Sequence, residues 1–199
     1  MLGGTGAVPT ASADSCPDIE VVFARGTGSP PGLGVLGDTF VDSLRSQVGG
    51  RSVSAYGVNY PASLDFEQSV NIGASDASAH VENTVATCPN TKIVLGGYSQ
   101  GADVIALITA EGAPAWGVPT PMPPGVADHV ASVVVFGNPA AKMGGGPLTA
   151  TSSLYGSKSI DVCIPGDPIC SNGFDLGAHG SYVSSGKVEQ AANYVAGRI

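Results

Sequence analysis

The chain has 199 residues, enough for one domain with a real core and too few for a second large one. Apolar residues make up 43% and charged residues 12%, which argues against disorder, and no apolar run approaches the roughly 18 residues needed to cross a bilayer. A net charge of −8, from 8 Lys plus Arg against 16 Asp plus Glu, leaves no basic stripe for phosphates, so nucleic acid is not an expected partner and anionic lipid would be attracted only weakly.

The opening stretch "MLGGTGAVPTASA" lacks the basic start and long apolar centre of an intact signal peptide, yet Ala11-Ser12-Ala13 has the small-x-small form of a leader cleavage site. Residues 1–13 are read as a leader remnant or disordered N-terminus, and 14–199 as a single domain. Short Val- and Ile-rich runs at 19–24, 52–58, 92–96, 130–136 and 158–163 predict five buried strands. Helical stripes fall between and after them: Phe40, Val41, Leu44 and Val48; then Ala77, Val81 and Val85; then Val104, Ile105 and Ile108; and finally Val188, Ala191, Ala192 and Val195. The Pro-rich "APAWGVPTPMPPG" at 113–125 is expected to be a long surface loop. Strands alternating with helices predict an α/β/α sandwich around a mostly parallel sheet, with the site at the strand C-termini. Gly32 to Gly37 fits the dinucleotide fingerprint G-x-G-x-x-G, but it starts well past the first strand and no acid closes the next one. Those glycines are expected simply to start a helix.

Four cysteines in a Gly- and Ser/Thr-rich chain suggest an oxidising compartment, although they allow three pairings. Cys163 and Cys170 flank the turn-forming "IPGDPI" and make the obvious local pair. Cys16 and Cys88 each precede an apolar run; if those runs are adjacent parallel strands, the two could meet at one sheet edge. Reduced core thiols are the bland alternative. No Cys-x2-Cys or Cys/His spacing suggests a metal.

The stretch Gly97-Tyr98-Ser99-Gln100-Gly101 matches G-x-S-x-G in the required context, with "KIVL" before it and "ADVIALIT" after. A serine hydroxyl is a weak nucleophile alone, so a histidine must take its proton and an acid must orient that histidine. In this strand–turn–helix arrangement both partners follow the serine, which removes His80; His129 precedes the 130–136 run and so lies at the wrong end of the sheet. His179 remains. Of Asp161, Asp167 and Asp175, Asp167 is favoured because a Cys163–Cys170 bond would fix its loop, with Asp175 next. The oxyanion of the tetrahedral intermediate needs donors: the backbone N–H of Gln100, and Thr27 in "ARGTGSPPG" after the first strand. Phe174 and Leu176, near His179, are candidate acyl contacts, with loop packing as the alternative.

Taken together, "VVFARGTG", "GGYSQGA", "VVVFGNP", "VCIPGDPIC" and "HGSYVSSG" resemble the cutinase family of secreted serine esterases, in particular its actinobacterial branch. The resemblance implies a lidless α/β-hydrolase with nucleophile Ser99, acid Asp167, base His179, oxyanion donors Thr27 and Gln100, and disulfides Cys16–Cys88 and Cys163–Cys170. The family often carries Ser at position 27. The expected protein is an extracellular, monomeric hydrolase of carboxylic esters, acting on cutin-like polyesters, short-to-medium acyl esters or lipids without cofactor or metal. A phospholipase or thioesterase on the same residues, and a non-catalytic surface binding protein, are the alternatives.

Overall fold

The structure, a computed structural model, describes residues 16–112 and 114–199. Five strands, β1 (Ile19–Ala24), β2 (Val53–Gly57), β3 (Lys92–Tyr98), β4 (Val130–Phe136) and β5 (Ser159–Val162), pair in the order β2-β1-β3-β4-β5, every pair parallel. The long helices are α1 (Gly34–Gln47), α2 (Phe66–Thr87) and α3 (Gln100–Thr109); single turns α4 (Leu148–Thr151) and α5 (Leu176–His179) precede the last helix, α6 (Lys187–Ala196).

From β1 the chain steps outward to β2 through α1, then back past β1 to β3 through α2. Right-handed crossovers in opposite directions put α1 and α2 on opposite faces. The core divides accordingly. Ile19, Val21 and Phe23 pack with Phe40 and Leu44 of α1 and Val188 and Ala192 of α6. Val22 and Ala24, alternating on the same strand, pack with Val70 and Val81 of α2 and Ile105 of α3. Between β1 and β3 the connections diverge, which opens a crevice at their C-terminal ends.

The α2 helix begins at Phe66, well before the stripe at Ala77; its first half buries mostly small residues, Ser69, Gly73 and Ala74 beside Val70, and so shows no broad apolar stripe. Residues 114–125, within the stretch expected to be a surface loop, also depart from a plain one. Thr120 N–H donates to the Leu107 carbonyl (2.8 Å), Met122 N–H to the Ile108 carbonyl (3.0 Å), and Met122 is buried. The C-terminal carbonyls of α3 lack helical partners, and this segment supplies donors. Gly34 starts α1, as the fingerprint glycines were read to do.

Both disulfides form: Cys16–Cys88 spans 72 residues, and Cys163–Cys170 spans 7. The first ties the entry of β1 to the end of α2 at the N-terminal edge of the sheet. Among the described residues no helix is long and apolar enough to cross a membrane. The leader motif at Ala11 to Ala13 lies outside the described residues.

Candidate active site

Ser99 sits between β3 and α3 with φ 55° and ψ −119°, a left-handed conformation costly for any residue but glycine. The bend exists because three backbones touch. A Cβ on Gly97 would lie 2.2 Å from the Gly101 carbonyl oxygen, and one on Gly101 would lie 2.0 Å from that of Ala24. Ser99 N–H donates to the Phe136 carbonyl at 2.9 Å, fixing the turn to β4 as well. The hydroxyl is thereby held at the mouth of the β1–β3 crevice.

His179 Nε2 lies 2.9 Å from Ser99 Oγ, and its Nδ1 lies 2.9 Å from Asp167 Oδ2. Asp167, 0% exposed, has donors on both oxygens: Ile169 N–H reaches Oδ1 (2.8 Å), and the Tyr182 hydroxyl joins His179 at Oδ2 (2.5 Å). An ionised carboxylate accepts all three, so Nδ1 carries the proton and Nε2 is left to accept from the serine. Tyr98 stacks on the imidazole at 5.0 Å and donates its hydroxyl to the His179 carbonyl (2.7 Å). Burial, with the Asp167 charge second, pushes the Tyr98 phenol up to about 12, so it remains a donor. Burial, followed by the bond to Asp167, likewise raises Tyr182.

The other candidates have separate work. Asp175 caps α5, accepting from Gly177 N–H at 2.8 Å. Asp161 accepts from Asn138 Nδ2 at 2.9 Å, and burial raises its carboxyl. His80 pairs with Glu20 (3.1 Å), and His129 faces the Pro89 carbonyl (3.0 Å) at the opposite sheet edge.

Opposite the histidine, the Gln100 side chain joins the loops. Its Nε2 donates to Thr27 Oγ1 (3.1 Å) and the Ser63 carbonyl (2.8 Å), while Ser69 Oγ donates to its Oε1 (2.7 Å). Buried Arg25 holds the same loop, donating to the carbonyls of Ser29 (2.9 Å), Val58 (3.3 Å) and Tyr60 (2.8 Å). Thr27 and Gln100 thus border an open cleft of about 330 Å³ with Ser99 and His179; its apolar wall includes Phe66 and Trp116. A separate cavity of about 160 Å³ lies behind Tyr98, and the serine does not line it. Phe174 and Leu176, 94% and 73% exposed, stand outside the cleft lining.

The cutinase family model matches residues 15–199. The chain belongs to the cutinase family. It is 55% identical over 194 residues to "Carboxylesterase Culp1" of Mycobacterium tuberculosis, covering 95% of this chain and 85% of that protein. It is 51% identical to "Phospholipase Culp4" of the same organism, over 96% of this chain and 82% of the relative. Among solved structures, Trichoderma reesei cutinase in complex with a phosphonate inhibitor superposes with a TM-score of 0.72 at 33% identity, over 90% of this chain and 75% of that one. This cutinase relative is accordingly a carboxylic ester hydrolase on a five-stranded α/β-hydrolase scaffold.

Sequence reasoning missed Tyr182, Tyr98 and Arg25 as supports and Phe66 and Trp116 as walls. Tyr182, Tyr98 and Arg25 all stand inside quoted motifs, so their neighbourhood was a signal; nothing in the sequence pairs Phe66 with Trp116.

Proposed function

We propose that Ser99 is the nucleophile, His179 the general base and then acid, and Asp167 the acid that orients it, in a secreted esterase that works through an acyl-serine intermediate. Ser99 Oγ attacks the ester carbonyl while its proton passes to His179 Nε2. The carbonyl oxygen becomes an oxyanion, stabilised by the backbone N–H groups of Gln100 and Thr27. Because Thr27 Oγ1 accepts from Gln100, its own proton is free to reach the same oxyanion. The intermediate collapses, the alcohol leaves with the proton from Nε2, and a water repeats the sequence to release the acid.

The observation that carries this reading is the unbroken chain from Ser99 through His179 to a buried carboxylate, with both contacts at 2.9 Å. The cleft is open, which suits short and medium acyl esters, lipids and cutin-like polyesters; Phe174 and Leu176 would meet only the bulk of a large ester. The 51% identity to a protein named a phospholipase favours phospholipid as a second substrate class. The two disulfides suit an extracellular setting.

A fluorophosphonate probe should label the parent at Ser99, and Ser99→Ala should abolish labelling and cut p-nitrophenyl ester hydrolysis about a millionfold. Residual turnover above about a thousandth of the parental rate would contradict the mechanism. Turnover on short triglyceride, phospholipid and acyl-thioester separates the substrate classes.

A further inference from the structure

Asp103, one turn after Ser99 on α3, is a buried acid with no part in that mechanism. It is 0% exposed, and no lysine or arginine pairs with it among the described residues. Its oxygens each accept one backbone N–H from consecutive residues, Ala115 (2.8 Å, to Oδ1) and Trp116 (2.9 Å, to Oδ2). Burial, opposed by these two bonds, pushes the carboxyl up to about 6, so placing a charge there is costly. The segment it grips is the one that enters the cleft. Trp116 stacks on Phe66 at 4.4 Å and 15°, and the pair lines the cleft with Ser99, Gln100 and Thr27. Beyond the tryptophan, Asn71 Oδ1 accepts from Val118 N–H at 2.9 Å and closes the other end of the grip.

We propose that Asp103 is a positioning residue for ester specificity: by holding the Ala115 and Trp116 N–H groups it fixes the Trp116–Phe66 pair as the wall against which the substrate's acyl chain lies. The proposal rests on the serine-esterase reading above. The leaving alcohol must face His179 Nε2 to be protonated, which assigns the acyl chain to the aromatic wall beside Thr27 and Gln100. A carboxylate suits the task because both of its oxygens accept. An amide offers one acceptor and turns an N–H2 toward an N–H, leaving a buried donor unpaired.

Trp116 is the sole tryptophan of the chain, so fluorescence excited beyond the tyrosine absorption band reports on this wall alone. In Asp103→Asn the emission should move to longer wavelength and acrylamide quenching should rise. The ratio of kcat/KM for p-nitrophenyl octanoate to that for the acetate should fall about tenfold, the scale of one or two methylene contacts. Trp116→Ala should lower the same ratio similarly, and the double variant should fall no further, since both changes remove one wall. Asp103→Ser, whose single oxygen sits one bond short of both carboxylate oxygens and so cannot hold the two N–H groups as they do, serves as the second variant if the asparagine protein does not fold. Unchanged emission and an unchanged ratio in a folded Asp103 variant would overturn the proposal, as would an unchanged ratio in Trp116→Ala. Fluorophosphonate labelling of the same samples keeps the two readings apart. A variant that labels at the parental rate has an intact reacting centre, so its acyl ratio reports the wall; a parent that does not label overturns the mechanism, while the fluorescence still judges the grip of Asp103.

Discussion

Removing the two disulfides separately should pull stability and turnover apart. Cross-links spanning 72 and 7 residues restrict the unfolded chain by about 4.4 and about 2.4 kcal/mol in the loop-entropy description. With a urea slope of about 2 kcal/mol/M, the midpoint should drop by roughly 2 M in Cys16→Ser/Cys88→Ser and by roughly 1 M in Cys163→Ser/Cys170→Ser. Turnover should rank the other way. The long-range bond lies at the sheet edge away from Ser99, so its loss should leave kcat on p-nitrophenyl acetate within about twofold, far inside the tenfold per 1.4 kcal/mol that a real change in barrier would bring. The short bond closes the loop that carries Asp167. Its loss leaves the acid held by His179 itself, the Tyr182 hydroxyl, Ile169 N–H, the Ser171 N–H and hydroxyl, and its own N–H to the Ile164 carbonyl. A displacement near 1 Å costs on the order of a hundredfold, so kcat should fall about tenfold to a hundredfold. Denaturation followed by tyrosine emission, with initial rates on the same samples, gives both quantities. If kcat survives loss of the short bond, that bond does not position the acid; if the short bond proves the more stabilising, the entropy argument fails.

Gly101→Ala would press a methyl into the Ala24 backbone, which cannot swing aside as a side chain can, so stability should fall by about 3 kcal/mol, or roughly 6 to 12 °C in Tm. A Tm within about 2 °C of the parent in a calorimetric scan would refute the contact. Tyr182→Phe keeps the ring packed on Phe136 but removes a donor from a buried carboxylate, a loss of about 1.5 to 3 kcal/mol; kcat should drop at least about tenfold, and parental kinetics would rule out a supporting role. For Glu20, burial alone would raise the carboxyl, but His80 and Thr84 outweigh it and hold the group below its ordinary 4.5. A folded value below the unfolded one adds stability that is present above 4.5 and fades as pH falls through the folded value. Glu20→Gln should therefore cost about 1 to 2 kcal/mol at pH 7 and converge on the parent as the acid protonates. Equal destabilisation by urea at both ends of that range would contradict the pairing.

How much could be read in advance depended on how locally each feature is encoded. β1 and β4 end where their Val-rich runs end, because strands buried on both faces leave a near-continuous apolar record, broken here at Glu20 and Ser132. The first half of α2 left no such record: Ser69 and Gly73 are core residues there, and neither registers as apolar in a helical stripe. Ser99, Asp167 and His179 were selected by motif, loop position and elimination, since few residue types can serve proton transfer, and their side chains lie in one hydrogen-bonded chain. Phe66 and Trp116 escaped notice because their meeting is a tertiary event; an aromatic at a helix start and another in a proline-rich stretch share no periodicity. Arg25 was passed over because its partners are carbonyls, which any sequence supplies.

The backbone-to-backbone contacts at Gly97 and Gly101 carry an implication for altering this enzyme. The Ser99 hydroxyl takes its coordinates from main chain, whereas the walls of the cleft in front of it come from side chains of separate segments. Libraries confined to Leu64, Phe66, Trp116 and Ile169 can therefore reshape the cleft while Ser99 keeps its place, and moving that serine would require rebuilding the strands themselves.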